Sequence, residues 1–191
     1  QAVRALVGSQ EFFAATGAGQ VNGAMALRSP GSALKPFVYA LALGSGAASP
    51  RSLLYDVPVD YAGYKPVNYD ERFNGAVTVG DALVRSLNVP AVNMTAKLGG
   101  ETFYAALKQG GISSLNKPWS KYGLPLALGG CEVSLLELTN LYATLANGGT
   151  RVPVSPVACV LDAEGKLIWQ GAAVNAVAAC AAAGGPVPGA I

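Results

Sequence analysis

The sequence runs to 191 residues, 51% of them hydrophobic and 13% charged, with 13 basic side chains against 11 acidic ones. That length supports one ordinary domain with a sizeable core, and so apolar a composition excludes a largely disordered chain. The basic residues are scattered, which sets nucleic acid aside as a partner, and histidine is absent, so an activated serine must take its base from Lys, Asp or Glu.

Residues 2–8 alternate loosely and read as a short strand; with no initiator methionine and no signal-like segment before it, the N-terminus reads as cut. Residues 14–24, rich in Gly and Ala, read as a loop. Arg28-Ser29-Pro30-Gly31-Ser32 supplies turn chemistry. The apolar stretch from Phe37 to Leu43 then predicts a buried helix over Ser32–Leu43, with Pro36 tolerated only because it falls in the first turn. This run is far short of the roughly 20 residues a membrane-spanning helix needs, and no other apolar run in the sequence approaches that length.

Residues 44–75, dense in Pro, Gly, Tyr and Asp, read as a long irregular excursion. Thr78 can cap a helix running to about Leu87, with Asp81 in its first turn where negative charge is favoured. Pro90–Leu98 and Glu101–Gln109 read as two further helices. Between Ser134 and Ala146, Leu135, Leu138, Leu141, Tyr142 and Leu145 recur at helical spacing, and Asn147-Gly148-Gly149 stops that helix as a left-handed cap. Val157 to Gln170 reads as a hairpin turning at Asp162–Gly165. From Gly171 onward the chain is Ala- and Gly-rich and is read as a tail without structure. Cys131, Cys159 and Cys180 form no metal pattern, cannot all pair internally, and read as small core or tail residues. The outline is an α+β domain, helical with a few strands at its ends.

Ser32-Ala33-Leu34-Lys35 is an S-x-x-K pattern. On a helix, i and i+3 share a face, so an amine stands beside a hydroxyl; the positive dipole of the helix N-terminus favours a neutral lysine able to act as a base. The pattern alone is weak, since it arises by chance roughly once in two chains of this size. A second copy, Ser114-Leu115-Asn116-Lys117, is followed by Pro118 and Trp119 and reads as a surface turn. In isolation, Ser32 and Lys35 fit a capping serine and a solvated lysine better than a catalytic pair. Ser86-Leu87-Asn88 shifts that balance, because S-x-x-K recurs with an S-D-N-type triplet and K-T-G in one group of serine acyl-transfer enzymes, although Ser-Leu-Asn occurs again at 114–116 and is weak alone.

Around these motifs, Arg28-Ser-Pro-Gly-Ser-Ala-Leu-Lys-Pro-Phe-Val-Tyr-Ala-Leu-Ala-Leu43 resembles the nucleophile segment of the class A penicillin-binding proteins, and Arg85-Ser-Leu-Asn-Val-Pro-Ala-Val92 resembles their second motif. Leu126-Ala-Leu-Gly-Gly130 with Leu135–Gly149 resembles the helical segment after it. Val3–Ser9 and Asn68–Phe73 are similar to the 1C branch of that family. The likeness covers residues 1 to about 170, read as a partial transpeptidase domain. It implies a penicillin-binding-protein/β-lactamase-like fold, mainly its helical part, with the central antiparallel sheet incomplete.

The resemblance further implies a D,D-transpeptidase of peptidoglycan synthesis in the periplasm, with stem peptides and β-lactam antibiotics as partners, no cofactor and no metal. Ser32 would be acylated, Lys35 would take its proton, Ser86 would relay that proton to the leaving group, and Asn88 would hydrogen-bond the donor peptide. The parent protein would carry a glycosyltransferase domain and a membrane anchor. The third motif, K-T-G or a close variant, is absent from the sequence, so weak activity or none is expected. Two other readings stay open: a degenerate, non-catalytic domain binding peptidoglycan or protein, which the missing motif favours, and a serine β-lactamase or β-lactam sensor, for which spacing places no deacylating Glu.

Overall fold

The apolar run after Ser32 folds as the sequence predicts, in two steps. In the computed structural model, which describes residues 3, 5–14, 16–155, 157 and 159–170, Gly31–Leu34 form a 3-10 turn and Lys35–Gly44 continue it as helix α1. Pro36 sits in the first turn of α1, where a missing N–H leaves no helical bond unmade. Leu34, Val38, Tyr39 and Ala42 are fully buried. Each of the larger of these side chains stabilises the fold by about 1.5–3 kcal/mol through water exclusion.

The described residues divide into two units, one of them Leu27–Ser134. In it, β1 (Leu53–Asp56) pairs antiparallel with β2 (Gly75–Thr78), in a register that sets Leu53 opposite Thr78 and Asp56 opposite Gly75. This ribbon corrects the reading of 44–75 as wholly irregular. Its strands have four residues each, and the residues between them are dense in Pro, Gly and Asp, so neither strand carries a visible alternation.

Helix α2 (Val79–Val84) starts where Thr78 accepts the Asp81 N–H at 3.0 Å. It stops three residues short of the expected Leu87 because Ser86 turns left-handed, with φ +54°. There Ser86 N–H bonds Leu83 O at 3.0 Å and Leu87 N–H bonds Ala82 O at 2.9 Å, the Schellman pattern that normally places Gly at the left-handed position. Helix α3 (Asn88–Leu98) therefore opens two residues before Pro90, which falls in its first turn. Helix α4 (Gly100–Gln109) comes next, after Gly99. Val89, Ala91, Val92 and Met94 of α3 form the centre of the core with α1 and with another 3-10 turn, Leu124–Leu128. The Ser114–Lys117 copy lies outside any helix, as expected, with Asn116 and Lys117 exposed, but Leu115 is fully buried, which corrects the reading of the whole copy as a surface turn.

The other unit comprises described residues of 1–26 and 135–170. Helix α5 (Leu135–Ala146) ends at Gly148 and Gly149, with φ +62° and +85°. Strands β3 (Cys159–Leu161) and β4 (Leu167–Gln170) form the expected hairpin, its turn held by Asp162 accepting the Lys166 N–H at 2.6 Å. An open cavity of about 380 Å³ is lined by Val3, Leu6, Leu135, Leu136 and Val154 among others, with no titratable group among the described lining residues. Residues 3 and 5–9 form no strand, against the expectation for 2–8. A strand exists through its ladder, whereas the backbone of this segment has, among the described residues, one isolated bond to a distant partner, Gly23 N–H to Gly8 O at 2.6 Å. Cys131 is free and half-buried, and burial with Glu132 pushes its thiol up to about 11; Cys159 is disulfide-bonded. The expectation for the tail from Gly171 lies outside the described residues.

Candidate active site

Ser32 is exposed on the 3-10 turn and Lys35 is the first residue of α1. In a 3-10 turn, positions i and i+3 eclipse one another, so these two side chains issue one above the other. Two contacts hold the turn from behind. Ser29 Oγ donates to Gly129 O at 2.8 Å, and Gly129, with φ +84°, lies so close that a Cβ there would overlap the Gly31 backbone.

Lys35 is the unusual residue. Only 1% exposed, it points its amine at the turn between α2 and α3. Nζ donates to Ser86 O, to Ser86 Oγ at 3.1 Å and to Asn88 Oδ1 at 2.6 Å. Its three N–H groups thus have three neutral acceptors and no carboxylate. Burial without a counter-charge pushes the amine down to about 8, within reach of the neutral form near physiological pH. The left-handed Ser86 brings both its carbonyl and its hydroxyl to the same ammonium, and strain of this kind at a non-glycine residue gathers at functional sites. Ser32 Oγ, by contrast, makes no hydrogen bond with any described residue, which leaves it open to an incoming group. Of the four residues singled out from sequence, hydrogen bonds bring Lys35, Ser86 and Asn88 together, while Ser32 lies three residues before Lys35 on the same turn with no hydrogen bond between their side chains.

Behind Asn88 lies a polar cluster that sequence reasoning does not single out. Asp56, fully buried at the end of β1, accepts from Asn68 Nδ2 on both carboxylate oxygens at 2.8 Å, and from Asn74 N–H at 3.0 Å and Nδ2 at 2.5 Å. Asn68 Oδ1 in turn accepts the Asn88 N–H at 2.8 Å. The available signal is the density of Asn and Asp in 56–74, which by itself says only that the chain turns there. Tyr39, on α1, is fully buried with no hydrogen-bond partner for its hydroxyl among the described residues, and burial and the Asp56 charge push its phenol up. Among the described residues, no group of three or more His, Cys, Asp or Glu is placed to hold a metal ion.

A buried amine lowered toward neutrality can act as a base, and the chain is similar to proteins of one known family. The family described as "Penicillin binding protein transpeptidase domain" matches residues 1–179. Penicillin-binding protein 1C of Escherichia coli is 40% identical over 147 residues, 77% of this chain and 19% of that protein. Penicillin-binding protein 1F of Bacillus subtilis is 38% identical over 169 residues, 87% of this chain and 22% of that protein. The chain thus spans about a fifth of the length of these curated relatives. Among solved structures, penicillin-binding protein 1A from Haemophilus influenzae superposes with a TM-score of 0.66 at 28% identity, over 80% of this chain and 23% of that one. PonA1 from Mycobacterium tuberculosis shares the fold, with a TM-score of 0.70 at 24% identity, over 85% of this chain and 44% of that one.

Proposed function

The chain belongs to the penicillin-binding-protein transpeptidase domain family, and from that premise we propose that it carries the acylation half of a D,D-transpeptidase site, with Ser32 as nucleophile and Lys35 as base. The observation that supports this reading is the buried Lys35 amine, lowered to about 8 and bonded to Ser86 and Asn88 one 3-10 turn from an exposed serine. Neutral Lys35 takes the proton as Ser32 Oγ attacks the carbonyl of a D-alanyl-D-alanine terminus. The C–N bond of that peptide breaks, Ser86 passes the proton to the departing D-alanine amine, and an ester to Ser32 remains. The amine of a neighbouring stem peptide then attacks the ester, forms the cross-link and returns the serine. A β-lactam enters by the same attack, but its ring-opened amine stays tethered, so the adduct persists.

Asn88 has a further part beyond the one the resemblance implied. Its Nδ2 donates to Val67 O at 2.8 Å and its Oδ1 accepts from Lys35, so it orients the base as well as presenting an amide edge to the donor peptide. The Ser32 N–H would supply one oxyanion donor, a contact worth roughly 3–4 kcal/mol in acyl transfer. No helix among the described residues is long and apolar enough to cross a membrane; work on the periplasmic face of the inner membrane, within a larger anchored synthase, belongs to the proposal. With no K-T-G in the sequence, we expect slow acylation and little cross-linking turnover.

The test is incubation of the 191-residue chain with a fluorescent penicillin, then peptide mass mapping. A stable adduct on Ser32, lost in Ser32→Ala, is expected. An adduct elsewhere or none at all would reject the reading in favour of a non-catalytic binding domain, and rapid drug turnover would point to a β-lactamase.

A further inference from the structure

Resting on the reading of Ser32 and Lys35 as the acylation pair, we propose that Asp56 and Asn68 are positioning residues for it, acting through Asn88 to hold the Lys35 amine in place. The N-cap position of α3 is Leu87, whose side chain makes no capping bond and has no atom able to accept one. Asn68, twenty residues upstream of Asn88, takes over that task, its Oδ1 accepting Asn88 N–H at 2.8 Å and Val89 N–H at 3.4 Å. The neighbouring Val67 carbonyl accepts from Asn88 Nδ2 at 2.8 Å. Asn88 is therefore gripped twice by residues 67 and 68, at its main chain and at its side chain.

Both amides can point only one way. Asn68 faces two backbone N–H groups on one side and, on the other, the Asp56 carboxylate and the Arg72 carbonyl at 2.7 Å. The first pair can only donate and the second can only accept. Asn88 lies between a carbonyl and an ammonium, which fixes its oxygen on Lys35 by the same logic. Asp56 closes the chain as a fully buried carboxylate paired with no cation. A buried charge is expensive unless fully hydrogen-bonded, and its bonds are then shorter and stiffer than neutral ones. A neutral acceptor would satisfy the same donors; the charge makes Asn68 rigid. The consequence runs from β1 through Asn68 to Asn88, and so to the place where the lysine proton is held.

Lys35 itself bonds only neutral groups. The titratable and charged groups on elements packed against α1 are Asp81 and Arg85 on and just after α2, Lys97 on α3 and Asp56 on β1, together with Tyr39 on α1 itself, and none of them bonds its amine. Releasing Asn88 therefore removes an acceptor that no neighbouring charge replaces, and the ammonium becomes easier to deprotonate.

The experiment is a carbon-detected NMR titration of the 191-residue chain with lysine labelled at Cε, the Lys35 signal being assigned by its loss in Lys35→Met. In Asn68→Ala the Lys35 midpoint should fall by about one pH unit, and in Asp56→Asn by about half a unit. Asn93→Ala is the control: Asn93 lies on the same helix and bonds Tyr61 and the Tyr55 carbonyl, away from the site, so it should leave the midpoint in place. A purely structural role would move all three alike or none, and either result overturns the proposal. So does loss of the native circular-dichroism signal in both Asn68→Ala and Asp56→Asn, which would assign the cluster to stability alone. Penicillin labelling of the same samples separates the two claims. Unlabelled wild-type protein rejects the acylation reading while the titration still judges the positioning, and labelled wild-type protein should be acylated about 10–100-fold faster than Asn68→Ala.

Discussion

Ser-x-x-Lys occurs at 32–35 and again at 114–117, and Ser-Leu-Asn at 86–88 and again at 114–116, yet the copies have opposite fates. Lys35 is drawn into the core because Phe37, Val38, Tyr39 and Ala42 come after it on α1, and burying them takes the first residue of the helix down with them. Lys117 is succeeded by Pro118, which disfavours a helix through it, and its side chain stays exposed. Ser86 is left-handed and turns two oxygens toward an ammonium; Ser114 spends its hydroxyl on Glu132 O at 2.5 Å. The short motifs carry no chemistry of their own. The residues on their C-terminal side decide whether the lysine is dehydrated, and dehydration is what lowers its pKa.

The widest expected separation between the copies is in rate. Lys35→Ala should slow penicillin acylation of Ser32 by about 10²–10⁴-fold, the usual span for a lost general base, whereas Lys117→Ala should change it by less than about twofold. The wild-type rate should climb with pH and level off above about 8, since burial holds Lys35 there and only the neutral amine can accept the serine proton. A lysine of ordinary affinity would keep the rate climbing to about pH 10. Time courses from about pH 6 to 10 read both effects, and a profile still rising at the top of that range would sink the assignment of Lys35 as base.

Next in size is the backbone support behind each serine. The Ser32 turn rests on Gly129, where any Cβ would overlap Gly31 and where φ is already +84°. Gly129→Ala should therefore cost about 2–3 kcal/mol in urea unfolding. The Ser114 turn is tied by the hydroxyl bond to Glu132, so Ser114→Ala should cost about 1 kcal/mol at most. Equal losses would mean that the Ser32 turn is no more tightly held than its copy.

Much of the molecule is readable from residues alone, for reasons that also explain what is not. Helices α2 and α5 announce themselves through Thr78 and Asp81 at one start and a leucine repeat with Gly148-Gly149 at the other end. The contacts among Lys35, Ser86 and Asn88 fall on residues where motif and resemblance coincide. Ribbon β1–β2 is hidden, since four-residue strands leave too short a pattern. Asp56 and Asn68 are hidden with it: a buried carboxylate is indistinguishable in sequence from a surface one, and its partners Asn68 and Asn74 come from a loop whose composition says only that it turns. The cap on α3 is invisible for a related reason. Local rules look for it at Leu87, and it arrives from Asn68, far away in the chain.

The smallest expected effect is the most discriminating. Ser86 occupies the left-handed position of a Schellman cap that suits glycine, and a side chain there costs roughly 1–2 kcal/mol. Ser86→Gly should recover that strain and give back part of it through a more flexible unfolded chain, for a net gain of about 0.5 kcal/mol. The sign depends on pH. Below about 8, Lys35 is an ammonium in the folded protein, and losing the Ser86 hydroxyl removes one of its acceptors, which offsets the gain. Above about 8 the amine is neutral, that penalty lapses, and the gain should emerge near pH 9 even as acylation slows. Ser114 has no positive φ to relieve, so Ser114→Gly should destabilise the protein at either pH. Urea midpoints for the two variants at about pH 6.5 and 9 measure the difference; a Ser86→Gly protein weaker than wild type at the higher pH would show that the backbone at Ser86 is relaxed, and that serine stands there for reasons unrelated to the lysine.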